Sequence, residues 1–192
     1  MKRITSLLVL LSAIVMCLTT TVQVRAQDAP SASPIDIGVD LMSRYVWRGT
    51  DYGSSPSIQP SMELGLGGFA LGFWGAYTTN LPGVQELDLY ASYTFSEVVT
   101  IGITDYFFPD EIFGYDYYNY RKDSTSHILE GMASFNGLEN LPLSLMVGYN
   151  FAGDSQNSTY LELGYSFSIL EIFLGAGNGF YTTDGNFNVV NV

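Results

Sequence analysis

From Ile35 onward the side chains alternate between apolar and polar or small with a period of two. That period puts successive side chains on opposite faces of a strand, and a helix cannot satisfy it. In Ile35 to Arg48 the odd positions read Ile, Ile, Val, Leu, Ser, Tyr, Trp, and the even ones Asp, Gly, Asp, Met, Arg, Val, Arg. The pattern returns in Ile58 to Leu66, where Ile58, Met62, Leu64 and Leu66 oppose Gln59, Ser61, Glu63 and Gly65. It continues with Phe69, Leu71, Phe73 and Tyr77, then Leu87, Leu89, Ala91, Tyr93 and Phe95, then Val99, Ile101, Ile103 and Phe107. Four further candidates lie at His127–Phe135, Leu143–Phe151, Thr159–Phe167 and Ile169–Asn178, and a tenth begins near Phe187.

The connections between these strands also alternate. Gly67–Gly68, Ser96–Glu97 and the turn near residue 168 are short. Segments 49–57, 80–84, 109–126, 152–157 and 179–186 are longer, and 136–142 is the one slack turn on the short side. Short turns on one side and long loops on the other predict an antiparallel up-and-down transmembrane β-barrel, all-β in class. Strands of this length suit a tilted crossing of a bilayer, and closure leaves no unpaired edge in hydrocarbon. A soluble all-β protein also alternates. Against it, aromatics gather at strand ends (Tyr45/Trp47, Tyr77, Tyr93/Phe95, Phe107, Phe135, Tyr149/Phe151, Tyr165/Phe167), as interfacial girdles would. About ten strands are visible. The last segment, NFNVVNV, is too short to cross, so the chain reads as truncated and twelve strands are expected in the complete protein.

Residues 1–26 read as a signal peptide: Lys2 and Arg3, an apolar run from Leu7 to Leu18, and a cleavage-like Val24-Arg25-Ala26. Residues 27–34 form a periplasmic lead-in, and 35–192 the outer-membrane barrel. The sole cysteine, Cys17, lies in the signal, so the exported chain has no disulfide framework. After cleavage all 19 acids remain, with only Arg44, Arg48, Arg121 and Lys122 as basic partners, a net −15. A nucleic-acid partner is excluded, because a polyanion would be repelled. The aromatic content of 15% argues against disorder.

By parity, Asp36, Asp40, Glu63, Glu86, Asp88, Glu130, Glu162 and Glu171 face inward with Arg44 and Arg48. In a water-filled lumen these carboxylates would concentrate cations and disfavour anions. They could equally pair with the arginines and plug a narrow barrel. Arg44 and Arg48 share one face, with Glu63 or Gln59 across the loop: either a constriction or a register-fixing salt bridge. Tyr45 and Trp47 would sit at the outer lipid boundary. The loop 109–126 brings Phe113, Tyr115, Tyr117, Tyr118 and Tyr120 beside Asp110, Glu111 and Asp116. It could stack on sugars or peptides, fold into the pore, or cover the membrane surface. Its acids follow no recognised calcium spacing. His127 is the only histidine, and Ser124 and Ser126 are near it without a G-x-S-x-G elbow, so a lipid-modifying enzyme is a distant alternative. No metal, P-loop or dinucleotide motif is present, and no catalytic residue or cofactor is expected.

The stretches GVDLMSRYVWRGTDYGSSPSIQP, LGFWGAYTTN, ELDLYASYTF and GITDYFFP are similar to the TorF-like porin family, bacterial outer-membrane proteins formerly described as conserved hypothetical (Gcw_chp). Ser43 to Gly49 and Ile103 to Pro109 are the most specific parts. The resemblance implies an outer-membrane β-barrel and a porin role. The expectation is therefore a channel for small hydrophilic solutes, cation-preferring through an acidic lumen. Its partners would be outer-membrane lipid and small solutes or ions, and self-association into a homo-oligomer is compatible with it. The alternative is a non-conducting barrel that binds ligands or surfaces through the tyrosine-rich loop.

Overall fold

The computed structural model describes residues 33–53, 55–80, 84–109, 114–122 and 124–192. The predicted signal peptide, most of the lead-in, and Asp110, Glu111 and Phe113 of the long loop lie outside them. Twelve strands follow in chain order: β1 (Ile35–Met42), β2 (Tyr45–Trp47), β3 (Thr50–Gly53), β4 (Ser57–Leu66), β5 (Phe69–Thr78), β6 (Gln85–Phe95), β7 (Val99–Phe107), β8 (His127–Phe135), β9 (Leu143–Ala152), β10 (Thr159–Phe167), β11 (Leu170–Gly179) and β12 (Gly185–Asn191). Ten of them form one antiparallel meander in the order β1-β4-β5-β6-β7-β8-β9-β10-β11-β12, while β2 and β3 make a hairpin of their own. No ladder of hydrogen bonds joins β1 to β12 among the described residues.

The alternation read from the sequence becomes two chemically different faces. One outward row runs Leu66, Phe69, Tyr93, Ile101, Ala133, Val147, Leu161, Ala176, Val189, apolar in every strand from β4 to β12. The corresponding inward row runs Asp36, Glu63, Gly72, Tyr90, Thr104, Glu130, Asn150. The outward residues are open to the surroundings: Ile37 is 73% exposed and Leu41 79%. The buried set is instead rich in polar groups, among them Gln59, Glu86, Asp88, His127, Glu130 and Asn150. This is the reverse of a water-soluble interior.

The first strand corrects the sequence reading. It ends at Met42, and the chain bends at Ser43 and Arg44 before β2. Tyr45, expected at the lipid boundary, is only 4% exposed and packs at a tilt against Trp74 with ring centroids 5.3 Å apart. Trp47 packs on Tyr106 and Tyr181 at 5.4 and 6.0 Å. The hairpin therefore lies on the inward face. Its turn is Arg48-Gly49, both with positive φ (46° and 76°), between the paired residues Trp47 and Thr50. Two residues of positive φ are what a two-residue type I′ hairpin requires, and glycine supplies one of them without strain.

This small hairpin also shows that the sheet is curled. It touches Trp74 on β5, Tyr106 on β7, Glu130 on β8 and Tyr160 on β10, and a Cβ at Gly49 would overlap the Val190 carbonyl on β12. In a flat sheet, β1 and β12 would be roughly 43 Å apart at ~4.8 Å per strand. The few residues from Met42 to Gly49 span at most about 25 Å. The sheet wraps around the hairpin.

Candidate functional site

Arg48 is the centre of the inward face. Its guanidinium meets Glu130 with both terminal nitrogens, Nη2 at 2.9 Å from Oε1, and Nη1 also donates to the Tyr181 hydroxyl at 2.6 Å. The Tyr106 hydroxyl donates to Glu130 Oε1 at 3.0 Å. The rings of Trp47 and Tyr160 lie 4.3 and 4.4 Å from the guanidinium carbon. Planar donors matched to a carboxylate and flat faces for stacking are the two capacities that lysine lacks. Burial works against the charge of Arg48, but the hydrogen bonds and charge of Glu130 outweigh it and hold its pKa above the ordinary value. The local sequence makes room for this pair: a Cβ at Gly148 would come within 2.5 Å of Glu130 Oε2.

Arg44 is not part of this cluster. Its side chain is half exposed and pairs with Asp51 across the hairpin; the hydrogen bond from Arg44 holds the Asp51 carboxyl below its usual range. The sequence reading put the two arginines on one face against Glu63 or Gln59. The bend at residues 43–44 separates them, and neither expected partner engages either arginine. Glu63 instead accepts from the Tyr90 hydroxyl at 3.0 Å, a bond that crosses over Gly72, where a Cβ would come within 2.5 Å of that hydroxyl. Glu162 accepts from Tyr160 at 2.6 Å, and the same hydroxyl lies 2.9 Å from Asn191 Oδ1.

Glu86 and Asp88 stand side by side on β6, 2% and 6% exposed. Tyr45 and Tyr52 cover them from the hairpin, stacked on each other at 5.0 Å. Burial first, then the charge of Glu86, raises the pKa of both tyrosines well above normal. Glu86 Oε2 and Asp88 Oδ1 have no hydrogen-bond partner among the described residues. Beside Asp88 a cavity of about 350 Å³ opens, walled by Trp47, Trp74, Tyr90, Tyr106, Gln59 and Thr104. Five of the eight predicted inward acids, Glu63, Glu86, Asp88, Glu130 and Glu162, thus share the face on which the hairpin sits.

The described residues of the tyrosine-rich loop do not enter this space. Tyr120 stacks on His127 with centroids 4.0 Å apart and donates to Asp105 at 2.5 Å. Tyr117 meets His127 edge-on at 5.1 Å, while Tyr115 and Tyr118 are open to solvent. His127 Nδ1 lies 2.7 Å from Asp105, and Nε2 lies 2.7 Å from the Tyr117 carbonyl. Asp105 and His127 stand in the outward rows of Leu89 and Phe107, so the segment around Tyr117 and Tyr120 is folded over the outside of the sheet. Both ring nitrogens are occupied by acceptors. Ser124 and Ser126 donate to the Arg121 and Gly114 carbonyls and do not approach the ring. His127 ties the loop down.

Sequence reasoning missed Tyr106, Tyr160, Tyr181 and Asn191 as partners of the hairpin. The available signal was Arg48-Gly49 itself, a turn-type dipeptide at the end of what reads as the first strand. A family model described as "Bacterial protein of unknown function (Gcw_chp)" matches residues 26–191. The chain belongs to this family. No curated protein and no solved structure matches it. Membership makes it a bacterial protein, and the matched segment includes the hairpin and every inward acid described above.

Proposed function

We propose that the protein is an outer-membrane β-barrel that passes small hydrophilic solutes, with a preference for cations, through a lumen narrowed by the β2–β3 hairpin. The observation that carries this reading is the outward face. Its apolar rows are continuous from strand to strand and largely exposed, whereas a soluble monomer rarely exposes contiguous apolar patches larger than a few hundred Å². Lipid is the solvent that such a face requires. Outward aromatics border it near the short turns (Phe69, Tyr93, Phe95, Phe135, Tyr165, Phe167) and near the long loops (Tyr77, Tyr149, Phe151), in keeping with two interfacial girdles. Nine of the sheet's ten strands have 8 to 11 residues and β12 has 7; tilted, they approach the ~25 Å height of an outer-membrane apolar band.

Selection would then rest on width and charge, with no covalent step. Arg48 is neutralised by Glu130, which leaves Asp36, Asp40, Glu63, Glu86, Asp88 and Glu162 to set the sign of the interior field. The hairpin, seated among Tyr106, Tyr160 and Tyr181, is the narrowest element on the path. The test is planar-bilayer conductance of the purified protein in a salt gradient. Small channels with a cation-favouring reversal potential are expected, and joint replacement of Glu63, Glu86 and Asp88 by their amides should move that potential toward zero. Silence over long recordings at high protein load would overturn the transport reading.

A further inference from the structure

We propose that the cavity beneath the hairpin binds one ring of a neutral sugar, stacked on aromatic side chains and hydrogen-bonded by groups that the fold leaves uncommitted. This names a solute class for the channel reading above and rests on that reading for transport; the site itself rests only on the fold.

The cavity wall carries no charge that seeks a partner. Asp88 lines it, but its carboxyl hydrogen-bonds that of Glu86, which two carboxyls do only around a shared proton, and Tyr45 donates to Glu86. Arg44 stands at the rim and is paired with Asp51. An ion entering here would give up hydration without gaining a free opposite charge.

What the wall offers is rings. Both tryptophans of the chain, Trp47 and Trp74, line the cavity, together with Tyr90 and Tyr106. Trp74 on β5 and Tyr106 on β7 are the cross-strand neighbours of Asp88 on either side. They are two strand spacings apart, about 10 Å at the backbone, which admits one ring between their side chains. Trp47 comes down from the hairpin onto Tyr106, with centroids 5.4 Å apart. The C–H faces of a pyranose are slightly positive and pack on the negative faces of aromatic rings.

The wall also offers open polar atoms. Among the described residues no hydrogen bond engages the indole N–H of Trp47 or Trp74, the Thr104 hydroxyl or Gln59 Oε1; Gln59 is held only through Nε2, by Ser57. None of these four atoms is among those sealed away without a partner, which are on Tyr52, Glu86, Asp88 and Asn150. They therefore remain open to a ligand, and they include both donors and acceptors, as sugar hydroxyls do. A wholly apolar ligand would cover these groups without satisfying them. An open-chain polyol would satisfy them and leave the rings without a face to meet. At about 350 Å³ the cavity lies at the small end of the range for small-molecule sites, which suits a single ring.

Because both tryptophans line the cavity, intrinsic fluorescence reads its occupancy. The experiment titrates the full protein, in micelles of a detergent without a sugar headgroup, with methyl β-D-glucopyranoside, whose equatorial hydroxyls leave both ring faces flat. Glycerol, which has hydroxyls and no ring face, and cyclohexanol, which has a ring and one hydroxyl, are titrated beside it. A saturable change is expected for the glucoside, with half-saturation at least tenfold below that of either control. Binding should weaken at least tenfold in Trp74→Leu, read by Trp47, and at least threefold in Thr104→Val. No saturable change, or a control that binds as tightly as the glucoside, would overturn the proposal. So would Trp74→Leu and Thr104→Val variants, folded by circular dichroism, that bind as the parent does. The three-ligand comparison on the unaltered protein decides the matter even where a variant fails to fold. Conductance without glucoside binding removes the site and leaves the channel, whereas binding without conductance leaves the site and removes the channel.

Discussion

Replacing Arg48 by alanine tests whether the hairpin is fastened inside the sheet or only rests there. The Arg48 and Glu130 side chains are 9% and 2% exposed, and they meet with two nitrogens on two oxygens. Truncating one partner of such a pair leaves a buried charge alone, at a cost of about 3–5 kcal/mol. Loss of the rings stacked on the guanidinium adds roughly 1 kcal/mol. We expect Arg48→Ala to lower unfolding stability by about 4 kcal/mol, measured by urea titration in lipid vesicles with Trp47 and Trp74 as reporters. Replacing both partners by apolar residues of similar size, Arg48→Met with Glu130→Leu, should recover most of that loss, because no charge is then stranded. The single variant should also conduct more, since the hairpin loses its fastening to β8. A loss below about 1 kcal/mol for Arg48→Ala, the worth of an exposed pair, would refute the reasoning.

Two other perturbations probe the faces and the loops. Val147→Arg places a charge in the middle of the outward apolar row and should cost about 2–4 kcal/mol in bilayers, measured by the same titration, where a water-facing site would lose almost nothing. Asp154, in the loop after β9, accepts from the Ser158 and Gln156 amides at 2.9 Å and from Asn150 Nδ2 at 3.1 Å. Burial works to raise its pKa, but these bonds outweigh it and hold the carboxyl below its usual range. Because the folded value is the lower one, its stabilisation is present above the unfolded carboxylate pKa, about 3.9, and is lost as pH falls through the folded value. Asp154→Asn should therefore cost ~1–2 kcal/mol at neutral pH and progressively less in acid, read from unfolding midpoints at pH 7 and pH 3.

Much of the fold was legible because a period of two carries its own register. A residue's parity along a strand names its face, and cross-strand pairing keeps that face continuous. That is why Glu63, Glu86, Asp88, Glu130 and Glu162 all lie where parity puts them. The segment 43–53 was misread for the same reason. Parity runs unbroken through Met42 into Tyr45 and Trp47, and a bend at two polar residues, Ser43 and Arg44, leaves no mark on it. What decides the path of the hairpin is tertiary: the Glu130 carboxylate 82 residues away and the rings of Tyr160 and Tyr181. Long-range pairing of this kind cannot be read from spacing. The tyrosine loop was left between three roles for a similar reason, since its position depends on His127 and Asp105 beneath it.

Cysteine labelling tests the two-faced sheet most directly, because Cys17, inside the predicted signal, is the chain's only cysteine. Single cysteines would be placed outward at Val39, Val147 and Leu163 and inward at Ser92 and Thr104, then offered a water-soluble maleimide in intact outer membranes. The account predicts that the inward positions label, the outward ones do not, and detergent exposes the outward set. Equal labelling of Val39, Val147 and Leu163 in intact membranes would contradict it, since those side chains would then face water and not lipid.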